Sequence, residues 1–581
     1  MLQFLKYVLA TLVGLLLFCS LCFIFLLTLI GMASMKKPVT VEANSVLKLD
    51  LNYDIPERST DDPLSTISYT DFKPKKAIGL TDILACITKA KTDDNIKGIY
   101  LQLGLNDNGY ATLEAIREAL LDFRKSKKFV FAYGEIISQK SYYLATAADK
   151  IFLNPSGMLE LKGFGREILY YKNMFDRLGI EVQDFHCGSY KSAIEPFVRN
   201  NMSEYNRQQL TNIYTDLYRH FVNQISIARS IDTATLQSII NTLAAESPEK
   251  CKELSLVNEI YFYDQVVKEM KRKVGVDEEK DLKMIDLAKY AATLEDNRDA
   301  DNKIAVIYAE GQIVNGEGED REIGGERYAK IISKLRKDEK VKAIVLRVNS
   351  PGGSALASDV IWRELSLAKE KKPLIVSMGD YAASGGYYIA APANRIFALP
   401  NTITGSIGVF GLLPNARKML NDKLGITVDE VEVTNHGVLG GITKPLDNEE
   451  RAVMQRSVER TYREFKERVA EGRKKDTAYI ESIAQGRVWT GNQALQNGLV
   501  DEIGGLNDAI AYAAKMANIK EYRIKNYPEE KSFAEKISES LGAMREKHTK
   551  EQLGELYEVY RTLRYLRNAS GIQMRMLYDI K

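Results

Sequence analysis

Ser384 stands where a chain would carry a nucleophile. The apolar run Pro373 to Val376 reads as a buried strand, and the small residues Ala382, Ala383, Gly385 and Gly386 let the backbone turn sharply around the serine. A hydroxyl on such a turn is presented to a substrate. The same residues would also make a glycine-rich strand-to-helix turn whose serine merely caps the helix, and the stretch alone supports both readings. Upstream, the strand-like run Lys342 to Val348 leads into Asn349-Ser350-Pro351-Gly352-Gly353-Ser354. A proline-glycine-glycine turn straight after a strand leaves backbone N–H groups unpaired and pointing outward, the raw material of an oxyanion hole.

A serine hydroxyl is a poor nucleophile near neutral pH and needs an adjacent base. The histidines are His186, His220, His436 and His548, and none belongs to a recognisable Ser-His-Asp motif. Lysine is the better candidate. It is a base only when neutral, so its ordinary pKa of about 10.4 must be lowered by desolvation, as in a site closed by apolar walls and a neighbouring domain.

The elements that must position these groups come from a repeat. Ile96 to Leu101 matches Val341 to Leu346, Gly134-Glu135 with Tyr142-Tyr143 matches Gly379-Asp380 with Tyr387-Tyr388, and Leu178-Gly179-Ile180 matches Leu424-Gly425-Ile426, at an offset of about 245 positions. Long amphipathic helices from about Glu204 and Asn448 also correspond, with Ser203 and Asp447 as N-caps. The chain is a tandem duplication of one strand-turn-helix domain, joined by a charged linker at Asp296 to Asn302. The halves differ where chemistry is expected. Opposite Ser384 the first half has Gln139, and opposite Pro351-Gly352 it has Asn106-Asp107. Conversely, the first-half segment Cys187 to Phe197 includes Lys191, whereas its counterpart, Val433-Thr434-Asn435-His436-Gly437, has no lysine at the matching place. One site assembled from two halves would drift in this manner; neutral loss on both sides would look similar.

Asn349-Ser-Pro-Gly-Gly353, Met378-Gly-Asp-Tyr-Ala-Ala-Ser-Gly-Gly-Tyr-Tyr388 and Thr404-Gly-Ser-Ile-Gly408 together resemble the signal peptide peptidase A family of serine proteases, over roughly residues 40 to 520. The resemblance implies an α/β fold of tandem duplicated Clp/crotonase-like domains, built from repeated β-β-α units, and a serine-lysine dyad. The family's segment Gly188-Ser-Tyr-Lys-Ser-Ala-Ile-Glu-Pro-Phe197 puts the general base on Lys191, and Ser406 would orient it. Ser384 would be the nucleophile, with the amides of Gly353 and Gly385 as oxyanion donors and Gly352 shaping the turn. His436 is the rival base. Gly486 to Gly491 and Gly498 to Gly504 also match the family and read as packing and turn residues.

Between Lys6 and Lys36 there is no charged residue. That exceeds both the roughly 20 residues of a membrane-spanning helix and the apolar core of a cleavable signal, so an uncleaved anchor is expected, although Gly31-Met32-Ala33 also reads as a cleavage site. The expected organisation is an anchor at 1–37, a first half at 38–295 supplying the base, a second half at 303–520 supplying nucleophile and oxyanion hole, and a helical extension at 521–581. Residues after the strand Ser45 to Leu51 read as a polar linker, and Tyr557, Tyr560, Leu563 and Leu566 as a docking stripe.

With 581 residues and a net charge of +2, the chain has material for two or more cores and no polyanion footprint, so nucleic acid is not an expected partner. The five cysteines make no disulfide framework, and neither a cofactor nor a metal is expected. The family implies a bacterial inner membrane, catalytic domains on the periplasmic side, a homotetramer, and cleaved signal peptides as substrates. Broader quality control of membrane proteins, crotonase-type acyl-CoA chemistry and a non-catalytic membrane scaffold are the alternatives.

Overall fold

The computed structural model describes residues 39–59, 77–294, 300–319, 321–529 and 572–576, together with residues 3–21 apart from 5, 8 and 19. Aliphatic runs buried on both faces build two sheets on one plan, the first parallel throughout and the second parallel apart from the pair Ile403–Gly405 with Val488–Thr490. In the first, the order is Glu259–Ile260, Lys150–Leu159, Phe129–Ile137, Ile96–Gln102, Ser45–Asp50 and Met284–Asp286, with every neighbour parallel. In the second, Leu374–Ala383, Val341–Ser350 and Lys303–Glu310 repeat the three central strands. Helices Leu80–Thr92 and Tyr110–Arg124 bury an apolar face in the first half, and Gly325–Lys337 and Ala355–Lys369 repeat them in the second. The long helices Glu204–Arg229 and Asn448–Arg473 are capped as their sequences require. Ser203 Oγ accepts from Asn206 N–H at 3.1 Å and Asp447 Oδ1 from Glu450 N–H at 2.8 Å.

A third sheet joins the halves. The first-half strand Glu181–Cys187 pairs antiparallel with Val409–Asn415 of the second half, Cys187 opposite Val409. The C-terminal strand Ile572–Arg575 lies between Val409–Asn415 and the short strand Gly352–Ser354, antiparallel to both. Phe185 of the first half is buried in the second-half core.

Two expectations change. The region after Ser45–Asp50 is no linker over 53–59: Ile55 is buried, and Glu57 is ion-paired with Arg347 of the second half, each about 2% exposed, at 2.9 and 3.1 Å. Nor does the second sheet end at residue 520, because Arg523–Tyr527 adds parallel to Lys303–Glu310, with Tyr527 buried. The stripe from Tyr557 to Leu566 and the charged linker at 295–299 lie outside the described residues. Among the described residues no helix is long and apolar enough to cross a membrane. Residues 9–18 are helical, and the rest of the apolar segment, 22–38, lies outside the described residues.

The strand that carries Ser384 also holds the first half directly. Asp380 accepts from Thr112 N–H at 2.9 Å and Thr112 Oγ1 at 2.6 Å, at the start of helix Tyr110–Arg124. A Cβ on Gly109 would run into the Asp380 carboxylate. Glu57→Ala leaves the Arg347 guanidinium buried without its carboxylate, and an unpaired buried charge of this kind costs roughly 3–5 kcal/mol. Urea unfolding monitored by circular dichroism should therefore show a loss of that order; a change below about 1 kcal/mol would mean that Arg347's bonds to Ser377 and the Met378 carbonyl suffice.

Candidate active site

Strand Leu374–Ala383 ends at Ser384, and helix Gly385–Ala390 starts immediately after it. The turn places Ser384 at φ 57° and ψ −116°, a backbone conformation that residues other than glycine adopt only under constraint. The constraint is visible: Ser384 N–H donates to the Gly405 carbonyl at 2.8 Å, and its carbonyl accepts from Tyr388 N–H at 2.9 Å. Ser384 therefore does not cap the helix with its side chain. Its hydroxyl is left for another partner.

That partner comes from the first half. Because Cys187 is opposite Val409, the residues just beyond this pair, Lys191 on one side and Ser406 on the other, are brought together. Lys191 Nζ lies 2.8 Å from Ser384 Oγ, 3.0 Å from Ser406 Oγ and 3.3 Å from the Ser406 carbonyl oxygen. Lys191, Ser384 and Ser406 are all buried. Burial without a neighbouring carboxylate pushes the Lys191 pKa down from 10.5 to about 7. An amine of that pKa in hydrogen-bond contact with a serine hydroxyl can remove its proton.

Gly353 and Gly385 lie beside this pair. Gly352 takes φ +96°, and a Cβ there would stand 2.6 Å from Gly385 N and against the Met574 carbonyl oxygen. A Cβ on Gly385 would be 3.0 Å from the same carbonyl oxygen and 3.2 Å from Gly353 N. The two amides and a carbonyl from the C-terminal strand thus converge on one small space. Met574 is opposite Gly353 in the ladder, and Met576 N–H donates to the Pro351 carbonyl at 2.8 Å. Met576 packs against Leu210 and Ile213 of the first half and Tyr381, Ala383, Ile403 and Val488 of the second. A cavity of about 20 Å³ is lined by Lys191, Ser406, Gly486, Arg575 and Met576 among others.

The corresponding first-half positions hold structure instead. Gln139 accepts from the N–H groups of Lys162 and Gly163 and donates to Tyr110 Oη and the Gly163 carbonyl. His436 is not brought to the site. It is half-exposed beside helix Asn448–Arg473, with Nδ1 3.1 Å from Glu450 and Nε2 3.3 Å from Glu449, and these carboxylates raise its pKa.

Several site residues escaped the sequence reading. The segment from Gly486 reads as packing and turn residues, and Gly486 does both: it turns at φ +77°, and a Cβ there would lie 2.7 Å from Lys191 N, Cα and Cβ. Gly408 flanks the lysine stem in the same way, at 3.1 Å from Cδ, and the Phe410 ring lies 6.0 Å from Nζ. The motif around Gly486 was the available signal, but what it packs against was not. Gly486→Ala should displace the lysine backbone and lower kcat by on the order of 100-fold, the scale of a 1 Å error in a reacting group, with a smaller change in KM. Steady-state kinetics on a fluorogenic peptide measure this; unchanged kcat would mean that the slot around Lys191 can widen.

The comparisons with known proteins agree with this architecture. The sequence pattern of peptidase family S49 matches residues 122–277 and again residues 366–520, and that of Clp protease matches 295–404. Protease 4 of Salmonella typhi is 40% identical over 472 residues, covering 80% of this chain and 76% of its own length. Protease 4 of Haemophilus influenzae is 34% identical over 518 residues, covering 85% and 83%. The chloroplastic serine protease SPPA of Arabidopsis thaliana is 36% identical over 453 residues, covering 76% and 66%. With a Clp-like α/β fold whose S49 region occurs twice, this chain belongs to peptidase family S49 and is a serine protease.

Proposed function

We propose that the chain is a membrane-anchored endopeptidase that degrades cleaved signal peptides, with Ser384 as nucleophile and Lys191 as general base. The observation that carries the catalytic reading is the 2.8 Å contact between Lys191 Nζ and Ser384 Oγ, both buried. Neutral Lys191 takes the hydroxyl proton as Ser384 Oγ attacks the scissile carbonyl. The amides of Gly353 and Gly385 stabilise the oxyanion, an effect worth on the order of 100-fold per donor. The ammonium then gives its proton to the leaving amine, and a water activated by the same lysine hydrolyses the acyl-enzyme. Ser406, 3.0 Å from Nζ, keeps the amine oriented through both proton transfers.

The position of residues 572–576 supports extended, apolar peptides as substrates. Ile572–Arg575 is a strand beside Gly352–Ser354, and Gln573, Met574 and, just after the strand, Met576 are buried. A substrate adds to the same edge and takes their place, with main-chain bonds giving affinity and the buried side chains selectivity. Spent signal peptides fit this description, as do other apolar fragments of membrane proteins. Anchoring is supported by helical residues 9–18, where Leu9, Leu12, Val13, Leu15, Leu16, Leu17 and Phe18 are all exposed. The location that fits is the bacterial inner membrane with both halves on the periplasmic side. A homotetramer is supported by the apolar side chains between Leu424 and Ile442, where Val431 and Val433 are more than 90% exposed.

Ser384→Ala and Lys191→Ala should each abolish cleavage of a fluorogenic peptide carrying apolar residues before the scissile bond, with melting temperature retained. Activity surviving in Lys191→Ala would place the base elsewhere. Because the amine acts when neutral and burial sets its pKa at about 7, kcat should fall as pH drops below about 7 and level off above it. A limb nearer pH 10 would mean that the lysine is solvated in the working enzyme. Removal of residues 572–581 should lower KM for the peptide with kcat little changed, since substrate no longer competes with the C-terminal strand. A higher KM would instead make that strand part of the binding surface.

A further inference from the structure

Lys191 stands on irregular backbone, between strand Glu181–Cys187 and the turn Ser192–Ile194. A reacting side chain needs to be held within about 0.5 Å, which an irregular segment achieves only through bonds to its surroundings. From the second half, the Gln485 carbonyl accepts from Tyr190 N–H at 2.9 Å and Gln485 Oε1 from Ser189 N–H at 3.1 Å. From the first half, Gln208 Oε1 accepts from Tyr190 Oη at 2.9 Å, and the backbone on both sides of Lys191 is bonded through Gln209.

Gln209 is buried near the start of helix Glu204–Arg229. Its Nε2 donates to the Tyr190 carbonyl at 3.0 Å and to Ser192 Oγ at 3.0 Å, the residues on either side of Lys191, with Asn206 Oδ1 at 3.3 Å beside them. Its Oε1 accepts from Val488 N–H at 3.3 Å. The carboxamide can point only one way, because the Tyr190 carbonyl only accepts and the Val488 amide only donates. Val488 is opposite Gly405 in the antiparallel pair of Val488–Thr490 with Ile403–Gly405, and the neighbouring Arg487 carbonyl accepts from Ser406 N–H at 2.7 Å. One side chain therefore ties both flanks of the lysine to the strand that fixes Ser406.

We propose that Gln209 is a positioning residue of the protease: by clamping Tyr190 and Ser192 to Val488 across the boundary between the halves, it keeps Lys191 Nζ within reach of Ser384 and Ser406. The proposal rests on the serine-lysine reading above. It also accounts for a polar side chain spent at a buried site where an apolar one would fill the same volume. A carboxamide there supplies direction as well as contact, and misplacement of a reacting group by about 1 Å costs on the order of 100-fold in rate.

Two variants of the full chain in detergent separate positioning from packing. Gln209→Met keeps the length and loses the bonds. It should lower kcat on the fluorogenic peptide by roughly 100-fold, leave KM within about twofold and shift the melting temperature little. Gln209→Glu still accepts from Val488 but turns an oxygen toward the Tyr190 carbonyl, and its charge favours the ammonium of Lys191. Its acid limb in kcat should move to higher pH by about one unit. If Gln209→Met retains kcat within about threefold, or folds poorly while the Gln209→Glu profile superimposes on wild type, Gln209 is core packing and the proposal falls. Lys191→Ala in the same series keeps the two readings apart. An active Lys191→Ala removes the dyad itself, whereas an inactive Lys191→Ala beside an active Gln209→Met removes only the role of Gln209.

Discussion

A buried amine with no carboxylate beside it among the described residues is the constraint on which the rest of this structure depends. Two cations lie deep between the halves, and their surroundings give them opposite fates. Arg347 meets Glu57 in a two-bond pair, and that attraction together with its hydrogen bonds holds the guanidinium charged. Lys191 meets two serine hydroxyls and a carbonyl, and burial drives it toward neutrality. The difference is one of partner and not of depth. The first is an anchor between the halves, and the second has the properties of a base.

The duplication explains how such a pocket can be closed. Each half supplies a sheet with a large apolar core, and the second-half core also takes in Phe185 of the first half. What each half does with its glycine-turn position then differs. In the second half the turn at Pro351-Gly352-Gly353 opens toward Ser384 and the C-terminal strand. In the first half Asn106 accepts from Asn108 N–H, and Asn108 donates to the Tyr53 carbonyl and accepts from Ile55 N–H. There the turn's polar groups are used to hold residues 53–59, the segment that carries Glu57 to Arg347. The first-half turn at Asn106-Asp107, opposite Pro351-Gly352 in the repeat, is thus part of the joint between the halves.

The sequence made this much legible because some of its signals are local. Ser384 between alanines and glycines, the proline-glycine-glycine turn and the lysine segment are contiguous motifs, and the repeat exposes the strand plan of both sheets. Gln209, Gly486, Glu57 and the strand 572–576 were not legible, since each matters through a partner far away in sequence. Gln209 reaches Val488 and Glu57 reaches Arg347, and neither pairing leaves a trace in composition or periodicity. The same limit explains the reading of residues 53–59 as linker: they are short, polar and proline-bearing, and what buries them, the first-half core around Ile55 and Arg347 of the second half against Glu57, is distant in sequence. His436 shows the reverse error, a residue placed near the base by alignment of the halves but drawn off by Glu449 and Glu450.

The energetic consequence is that catalysis and docking of the halves are one problem. Lowering the lysine pKa from 10.5 to about 7 represents a desolvation cost of about 5 kcal/mol for the ammonium. That cost is present in full below about pH 7 and fades as pH rises toward 10.5, because the unfolded chain keeps its proton up to the higher value. It must be offset by contacts that close the pocket, and those contacts join the two halves: the pairing of Glu181–Cys187 with Val409–Asn415, Asp380 on Thr112, Glu57 on Arg347, and Gln209 on Val488. Placing Lys191 and Ser384 on different halves therefore ties the protonation of the amine to docking. On the proposed serine-lysine reading, a half alone, or a poorly docked pair, leaves Lys191 solvated and protonated, so that Ser384 would be activated only once the halves have docked.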